Sequence, residues 1–248
     1  MRFYSDLSLL VGGPSTFTEG QRKSVSTPHE KAYHVDPSIV AHVQPGLVIG
    51  IVSSKIASDG TISVDYKLTD PAGAPLDRSG VTTPGPISLS FLAAYISKGQ
   101  EQYTSYIVRT ATAPSGAKAT QAAADSGGTT QTVATGEYVY TFSTKAPAGF
   151  DASATHRIGI YGSRNLTPWS LGTNYADATY DFVPAGGTPV PRDVVCTADC
   201  NQCHGLPNGL TSSTGSAGLA AHGGSRPSEQ LCIISHQPQT SDPDTRST

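Results

Sequence analysis

The sequence has few charged residues and no long apolar run. Asp, Glu, Lys and Arg make up only 14% of its 248 residues, and the formal net charge of −3 arises from signs that are interspersed along the chain. A nucleic-acid-binding protein normally carries a basic patch, and a membrane-spanning helix needs about 20 consecutive apolar residues. The sequence therefore predicts no nucleic-acid partner and no transmembrane span.

The motifs of several common enzyme classes are also missing. The sequence contains no Gly-x-Ser-x-Gly, no P-loop and no Gly-x-Gly. These motifs expose a serine nucleophile or surround the phosphates of a nucleotide with backbone N–H groups. We therefore expect neither a hydrolase site nor a nucleotide site.

Glycine and proline are plentiful, with 26 and 18 residues, which suits short strands joined by turns. Asp59-Gly60 predicts a hairpin turn, and the next stretch alternates so that Ile62, Val64, Tyr66 and Leu68 share one face. The sequence has about seven such runs, at residues 47–52, 61–68, 87–92, 103–110, 137–144, 156–161 and 178–183. The predicted fold class is mainly β, an antiparallel Greek-key sandwich or barrel.

Composition divides the chain into three parts. Residues 1–40 are polar and without periodicity, which predicts a leader or extended arm. Residues 41–186 contain the predicted strands and should form the β-sandwich domain. Pro-Ala-Gly-Gly-Thr-Pro-Val-Pro, at 184–191, predicts a linker. Residues 187–248 hold all four cysteines and few large apolar side chains, so we expect a segment with little regular structure that a metal or cofactor organises.

The last part contains one complete haem-attachment motif, Cys200-Asn201-Gln202-Cys203-His204. Two thiols three residues apart can form thioether bonds with the two vinyl groups of haem, while the histidine that follows binds the iron. The motif therefore predicts a covalently bound haem c.

The sequence also restricts the second axial ligand of that iron. The single methionine is Met1, which argues against His/Met ligation. His222 is followed by two glycines that allow the backbone to approach a flat macrocycle. We therefore expect His222 to be the distal ligand of the haem bound by His204, the alternative being a solvated turn residue. Two histidine ligands leave no open iron position, which favours electron transfer over oxygen or peroxide chemistry.

A second cluster, Cys232-Ile233-Ile234-Ser235-His236, repeats the motif with serine in place of the second cysteine. A hydroxyl does not form the thioether bond. Cys232 could still make one bond and His236 could still bind iron, or the site could be inactive. We therefore expect one covalent haem and leave a second open. Cys196 could be a thiol or could be paired with Cys232.

A structural zinc site is the alternative to haem. Four side chains have a spacing that suits tetrahedral zinc, namely Cys200, Cys203, Cys232 and His236. The chain would then be a β-sandwich binding module with a structural Cys/His zinc site. That interpretation leaves His204 and His222 without roles, whereas haem uses both, so haem is the preferred interpretation.

Several stretches of the sequence carry a resemblance to a known family: Pro45-Gly46-Leu47-Val48-Ile49, Leu76-Asp77-Arg78, Gly172-Thr173-Asn174-Tyr175-Ala176-Asp177, Cys200-Asn201-Gln202-Cys203-His204, Ala221-His222-Gly223-Gly224-Ser225-Arg226 and Gln237-Pro238-Gln239-Thr240. They resemble the OmcA/MtrC-type outer-membrane decahaem c-type cytochromes. The resemblance implies that residues 41–186 are the family's amino-terminal β domain and that residues 187–248 begin its first multihaem cytochrome c domain.

The resemblance further implies an exported electron carrier of the metal-reducing type, at the outer-membrane surface, extracellular or periplasmic. Its partners would be redox proteins at the outer membrane or extracellular acceptors, and it would be at most a terminal reductase. The family carries many Cys-x-x-Cys-His motifs, whereas this chain stops after its second. The apolar stretch at residues 7–11 is shorter than a signal peptide needs. We therefore expect an amino-terminal fragment or a decaying copy of a longer cytochrome.

Overall fold

The computed structural model describes residues 27–37, 40, 43–192, 199, 222 and 225–237. The strands of this part are β1 (Val48–Ile56), β2 (Ile62–Thr69), β3 (Ile87–Ile96), β4 (Tyr103–Ser105), β5 (Val108–Thr112), β6 (Lys118–Ala122), β7 (Thr129–Ala134), β8 (Glu137–Thr141), β9 (His156–Asn165) and β10 (Thr173–Phe182). Short 3₁₀ turns occur at Lys31–His34 and Thr167–Trp169, and a helix, α1, spans Glu229–Ser235.

The strands form two four-stranded antiparallel sheets and a separate hairpin. The first sheet has the order β1-β2-β8-β7, the second has the order β10-β9-β3-β4, and β5 pairs with β6. Strands that are distant in the chain pair in each sheet, β2 with β8 and β3 with β9, as Greek-key connections require. The predicted antiparallel β-sandwich is confirmed, and the described strands form no closed barrel.

The core lies between the two sheets and follows the predicted alternation of β2. Ile62, Val64, Tyr66 and Leu68 are each at most 1% exposed. From the other sheet, the Phe91 ring packs edge-on against the ring of Tyr66, with 5.5 Å between the ring centroids. Both residues belong to one cluster of buried apolar side chains. Since alternating side chains of a strand point to opposite faces, this period places the apolar set of β2 against the second sheet.

The turn between β1 and β2 requires glycine, as the Asp59-Gly60 pair predicts. Gly60 has a φ of +82°, and a Cβ atom built there would lie 2.3 Å from the carbonyl oxygen of Ala146. The left-handed backbone and the close approach each exclude a larger residue.

The expected strand at residues 103–110 is two strands in the structure. Ser105 Oγ donates to the Ile107 carbonyl at 2.8 Å and accepts from the Ile107 N–H at 3.2 Å. These local bonds replace ladder partners, so β4 ends at Ser105 and β5 begins at Val108. The sequence analysis also missed β6 and β7, whose residues are mostly small or polar and exposed.

The second sheet is covered on both faces, and this explains four consecutive buried residues in β3. Phe91 and Ala93 belong to the core between the sheets, whereas Leu92 and Ala94 form a second cluster on the outer face with Tyr103. The outer cluster is closed by Leu231 and Ile234 of α1, which are 1% and 0% exposed. The cysteine segment therefore contains a helix that was not expected, and its apolar residues use the sandwich as their core.

Two acidic residues of β10 fix the position of α1. Arg157 donates from Nε and Nη2 to Asp181 at 2.8 and 2.6 Å, and from Nη1 to the carbonyl of Gln230 in α1 at 3.2 Å. Asp177 accepts from the N–H and Oγ of Ser228, both at 3.0 Å, where the helix begins. Burial raises the pKa of Asp177, and the hydrogen bonds from Ser228 oppose that rise.

Gly159 of β9 lies directly under α1 and offers a test of this docking. A Cβ atom there would lie 2.7 Å from Leu231 Cδ1 and Ile234 Cδ1. We expect Gly159→Ala to lower the free energy of unfolding by about 1–3 kcal/mol, because the added methyl overpacks the outer cluster. Gly50→Ala in β1 is the matched control, since no atom lies within 4 Å of its Cβ position. Equal urea midpoints for the two variants would show that α1 does not rest on this face.

Candidate haem-binding site

The structure describes half of the predicted site residues. Cys200, Cys203 and His204 of the complete motif lie outside the described residues, as does Cys196. His222, Cys232 and His236 are described, and all three line one cavity. The structure thus brings together the three candidates that come from the second half of the cysteine segment.

The cavity lies between α1, the outer face of the second sheet and the β5–β6 hairpin, and its volume is about 700 Å³. That volume is within the range of sites for cofactors and small molecules, about 300–1,000 Å³. Its apolar lining includes Leu92 of β3, Ile107 and Val108 at the start of the hairpin, and Leu231 of α1. The cavity could therefore enclose a large, flat, mostly apolar group.

Two imidazoles lie next to each other at this cavity. The ring centroids of His222 and His236 are 6.1 Å apart, with an angle of 33° between the ring planes. Two imidazoles on opposite sides of one metal ion, each bound at about 2.0 Å, place their centroids about 6 Å apart. The separation therefore suits a single metal ion held between the two rings.

The backbone at each histidine explains how the rings are positioned. His222 has a φ of +53°, a left-handed conformation that histidine adopts more readily than most residues. Its carbonyl accepts a hydrogen bond from Ser225 Oγ at 3.0 Å. His236 follows the last residue of α1, and its N–H donates to the carbonyl of Cys232 at 2.8 Å. The two side chains thus come from a tight turn and a helix end.

Cys232 and His236 reach the same cavity because residues four apart lie on one face of a helical turn. The Cys232 thiol donates a hydrogen bond to the carbonyl of Ser228 at 3.3 Å, within the helix. Ser235, which stands where the complete motif has its second cysteine, also lines the cavity. The broken motif therefore keeps a thiol and an imidazole at the cavity.

The charged side chains of the described lining are two arginines, Arg109 and Arg226, and this lining contains no Asp or Glu. The Arg226 guanidinium lies 3.7 Å above the ring centroid of Tyr161. Arg109 Nη2 donates to Gln121 Oε1 across the β5–β6 hairpin at 3.2 Å. Both arginines are thus held by neighbouring side chains, and the cavity is electropositive.

Within the described ranges, no three His, Cys, Asp or Glu side chains form a group that could hold a metal ion. Of the four residues of the alternative zinc site, Cys232 and His236 are described. A haem iron takes four of its donors from the macrocycle and needs only two axial ligands from the protein. The imidazole pair, the cavity volume and the apolar lining together fit a haem group.

The architecture is similar to that of two solved cytochromes. The outer-membrane decahaem cytochrome OmcA matches with a TM-score of 0.59 and 21% identity, over 80% of this chain and 30% of OmcA. The sandwich has an OmcA/MtrC-like fold. MtrC from Shewanella baltica OS185 matches with a TM-score of 0.50 and 20% identity, over 77% of this chain and 29% of MtrC. The resemblance expected from the sequence is therefore confirmed for the fold.

This chain spans about 30% of the length of OmcA and MtrC. No protein-family model matches the sequence, and no curated protein matches it. None of the helices described is long and apolar enough to cross a membrane.

Sequence reasoning missed one wall of the cavity. The β5–β6 hairpin contributes Arg109 and Gln121, yet nothing in its composition connects it with the cysteine segment. Arg226 gave a weak signal, because it belongs to the stretch with His222 that resembles the cytochromes. Its position at the cavity depends on the packing of α1.

Proposed function

We propose that the chain is a c-type haem electron-transfer protein of the extracellular, metal-reducing type, and that it corresponds to the amino-terminal part of a multihaem cytochrome. The observation that carries this proposal is the pair of imidazoles, His222 and His236, 6.1 Å apart at a haem-sized cavity. The complete motif ending in His204 adds the covalent attachment site in the same segment.

The side chains have separate roles in this proposal. The thiols of Cys200 and Cys203 would hold the first haem covalently, and His204 would bind its iron. Haem supplies reversible one-electron chemistry at iron when it is bound. His222 and His236 would both bind one iron, so that this iron has no position open for a substrate. The apolar part of the lining would shield one side of the haem from water and would thereby influence its reduction potential.

The structure favours a different histidine pair from the one that the sequence suggests. The sequence motifs predict that His222 pairs with His204, and that pairing stays a prediction because His204 lies outside the described residues. One imidazole nitrogen binds one iron, and the His236 ring is already at a distance that suits a shared iron. We therefore favour His236 as the partner of His222.

The location and partners follow from the likeness to OmcA, which is described as an outer-membrane protein. We propose that the chain is exported and acts at the outer-membrane surface or outside it. Redox proteins at the outer membrane, or extracellular acceptors, would exchange electrons with it. In this proposal residues 41–186 are the β domain, and residues 187–248 begin the haem-binding part.

A visible spectrum of the chain tests the proposal. Protein produced in cells with the cytochrome c maturation machinery should be red, with a Soret band that shifts when dithionite is added. The variant with Cys200→Ser and Cys203→Ser should lose the haem of the first motif. A colourless protein that contains stoichiometric zinc would contradict the proposal and support the zinc-binding module instead.

A further inference from the structure

The cavity contains the groups needed to hold a haem without the Cys200–Cys203 thiols. It has its own thiol at Cys232, its own imidazole pair, and two arginines. We propose that the cavity holds a second haem that is attached by a single thioether bond at Cys232, and that its two propionates pair with Arg109 and Arg226. This inference rests on the proposed function, because the chain must first be matured with haem.

The attachment follows from the spacing along α1. Cys232 precedes His236 by four residues, as Cys200 precedes His204 in the complete motif. The Cys232 thiol would add across one vinyl group: a carbon–sulfur bond forms, the S–H bond and the vinyl π bond break, and the thiol hydrogen goes to the terminal vinyl carbon. No net oxidation or reduction occurs. Ser235 offers a hydroxyl, which does not add, so the second vinyl group stays intact.

The positive charge of the cavity indicates how the propionate edge of the haem would be held. Haem carries two propionate carboxylates, and a guanidinium can bind a carboxylate through two parallel hydrogen bonds. Arg109 comes from the hairpin and Arg226 from the segment before α1, and no acidic side chain of the described lining competes with a propionate. The stack on Tyr161 and the bond to Gln121 hold the two arginines at the cavity before any ligand binds.

The imidazole pair makes the site specific for a metal macrocycle. A neutral apolar ligand would make no use of the two arginines and the two histidines at the cavity. A zinc ion alone would need neither the apolar lining nor a cavity of about 700 Å³. A haem matches the volume, the two axial ligands, the thiol and the positive charge together.

Mass spectrometry of the denatured, matured full chain tests the attachment. The sequence alone predicted one covalent haem; with the cavity in view, we expect two haem masses on the native chain, one on Cys232→Ser, and one on the variant with Cys200→Ser and Cys203→Ser. Cys196→Ser is the matched control and should keep two. The pyridine haemochrome of the variant without Cys200 and Cys203 should have its α band between those of b-type and c-type haem, because one vinyl group remains.

The outcomes separate this inference from the proposed function. One haem mass that depends only on Cys200 and Cys203 would overturn the inference and leave the proposed function standing. If absorbance shows haem at the cavity but the haem is lost on denaturation, the proposed thioether bond at Cys232 is wrong. No haem on any variant would contradict both.

The pairing of the two arginines with the haem propionates can be tested separately, through the reduction potential of the cavity haem. Arg109→Gln and Arg226→Gln should each lower the potential of the cavity haem, because an uncompensated propionate stabilises the oxidised iron. Lys118→Gln is the matched control, since Lys118 lies on the same hairpin but is not part of the cavity lining. Unchanged potentials in both arginine variants would overturn the propionate pairing.

Discussion

Replacing His222 with alanine is expected to convert a six-coordinate iron in the cavity into one that binds carbon monoxide. The reason is the paired geometry of His222 and His236, which would otherwise close both axial positions. A carbon monoxide difference spectrum of the reduced protein should show one more molecule bound per cavity haem than the native chain binds. His29→Ala is the control, because His29 is exposed and lies outside the cavity lining.

His236→Ala distinguishes the two possible pairings of His222. If the two histidines share one iron, both alanine variants should bind carbon monoxide at the same haem. A His222→Ala protein that stays six-coordinate and low-spin would show that His222 is not an axial ligand. If only His222→Ala opens an iron, the partner of His222 is another histidine, with His204 the first choice from the sequence.

We expect Arg157→Ala to lower the free energy of unfolding strongly, because it breaks a buried ion pair. The Arg157 and Asp181 side chains are only 4% and 18% exposed, so removing the arginine leaves a buried carboxylate without its ion pair. Such a loss typically costs about 3–5 kcal/mol. The variant would also lose the bond to the Gln230 carbonyl that holds α1. Urea unfolding should show a clearly lower midpoint.

Lys145→Ala provides a control with the same ion-pair distance. The Lys145–Asp59 pair is also 2.6 Å long, but its side chains are 55% and 58% exposed. Solvent screens such pairs, so this variant should lose much less stability than Arg157→Ala. Similar losses in the two variants would contradict the view that burial makes the Arg157–Asp181 pair important for the docking of α1.

The parts of the fold that sequence reasoning predicted are those that local patterns determine. The alternation of β2 places four apolar residues on one face, and Asp59-Gly60 needs a left-handed glycine; the structure contains both features. β6 and β7 lack an apolar face, so period-2 reasoning had no signal to use. α1 is only seven residues long, and its burial depends on the outer face of β3 and β9.

The candidate site shows the same division between local and long-range information. The sequence indicated His222, Cys232 and His236 one by one, because haem motifs are short and local. The cavity also needs Arg109 and Gln121 from the β5–β6 hairpin, which the fold brings next to α1. No pattern along the chain connects those residues with the cysteine segment, so the positive charge of the cavity could be recognised only in three dimensions.

Extraction of the matured protein with acidified acetone tests covalent haem binding most directly. Thioether bonds at Cys200 and Cys203 should keep haem with the precipitated protein, whereas noncovalently bound haem passes into the solvent. We expect the precipitate to stay red and to give a pyridine haemochrome spectrum. Complete extraction of the colour, or zinc in stoichiometric amount in place of iron, would contradict the proposal that this chain is a c-type cytochrome.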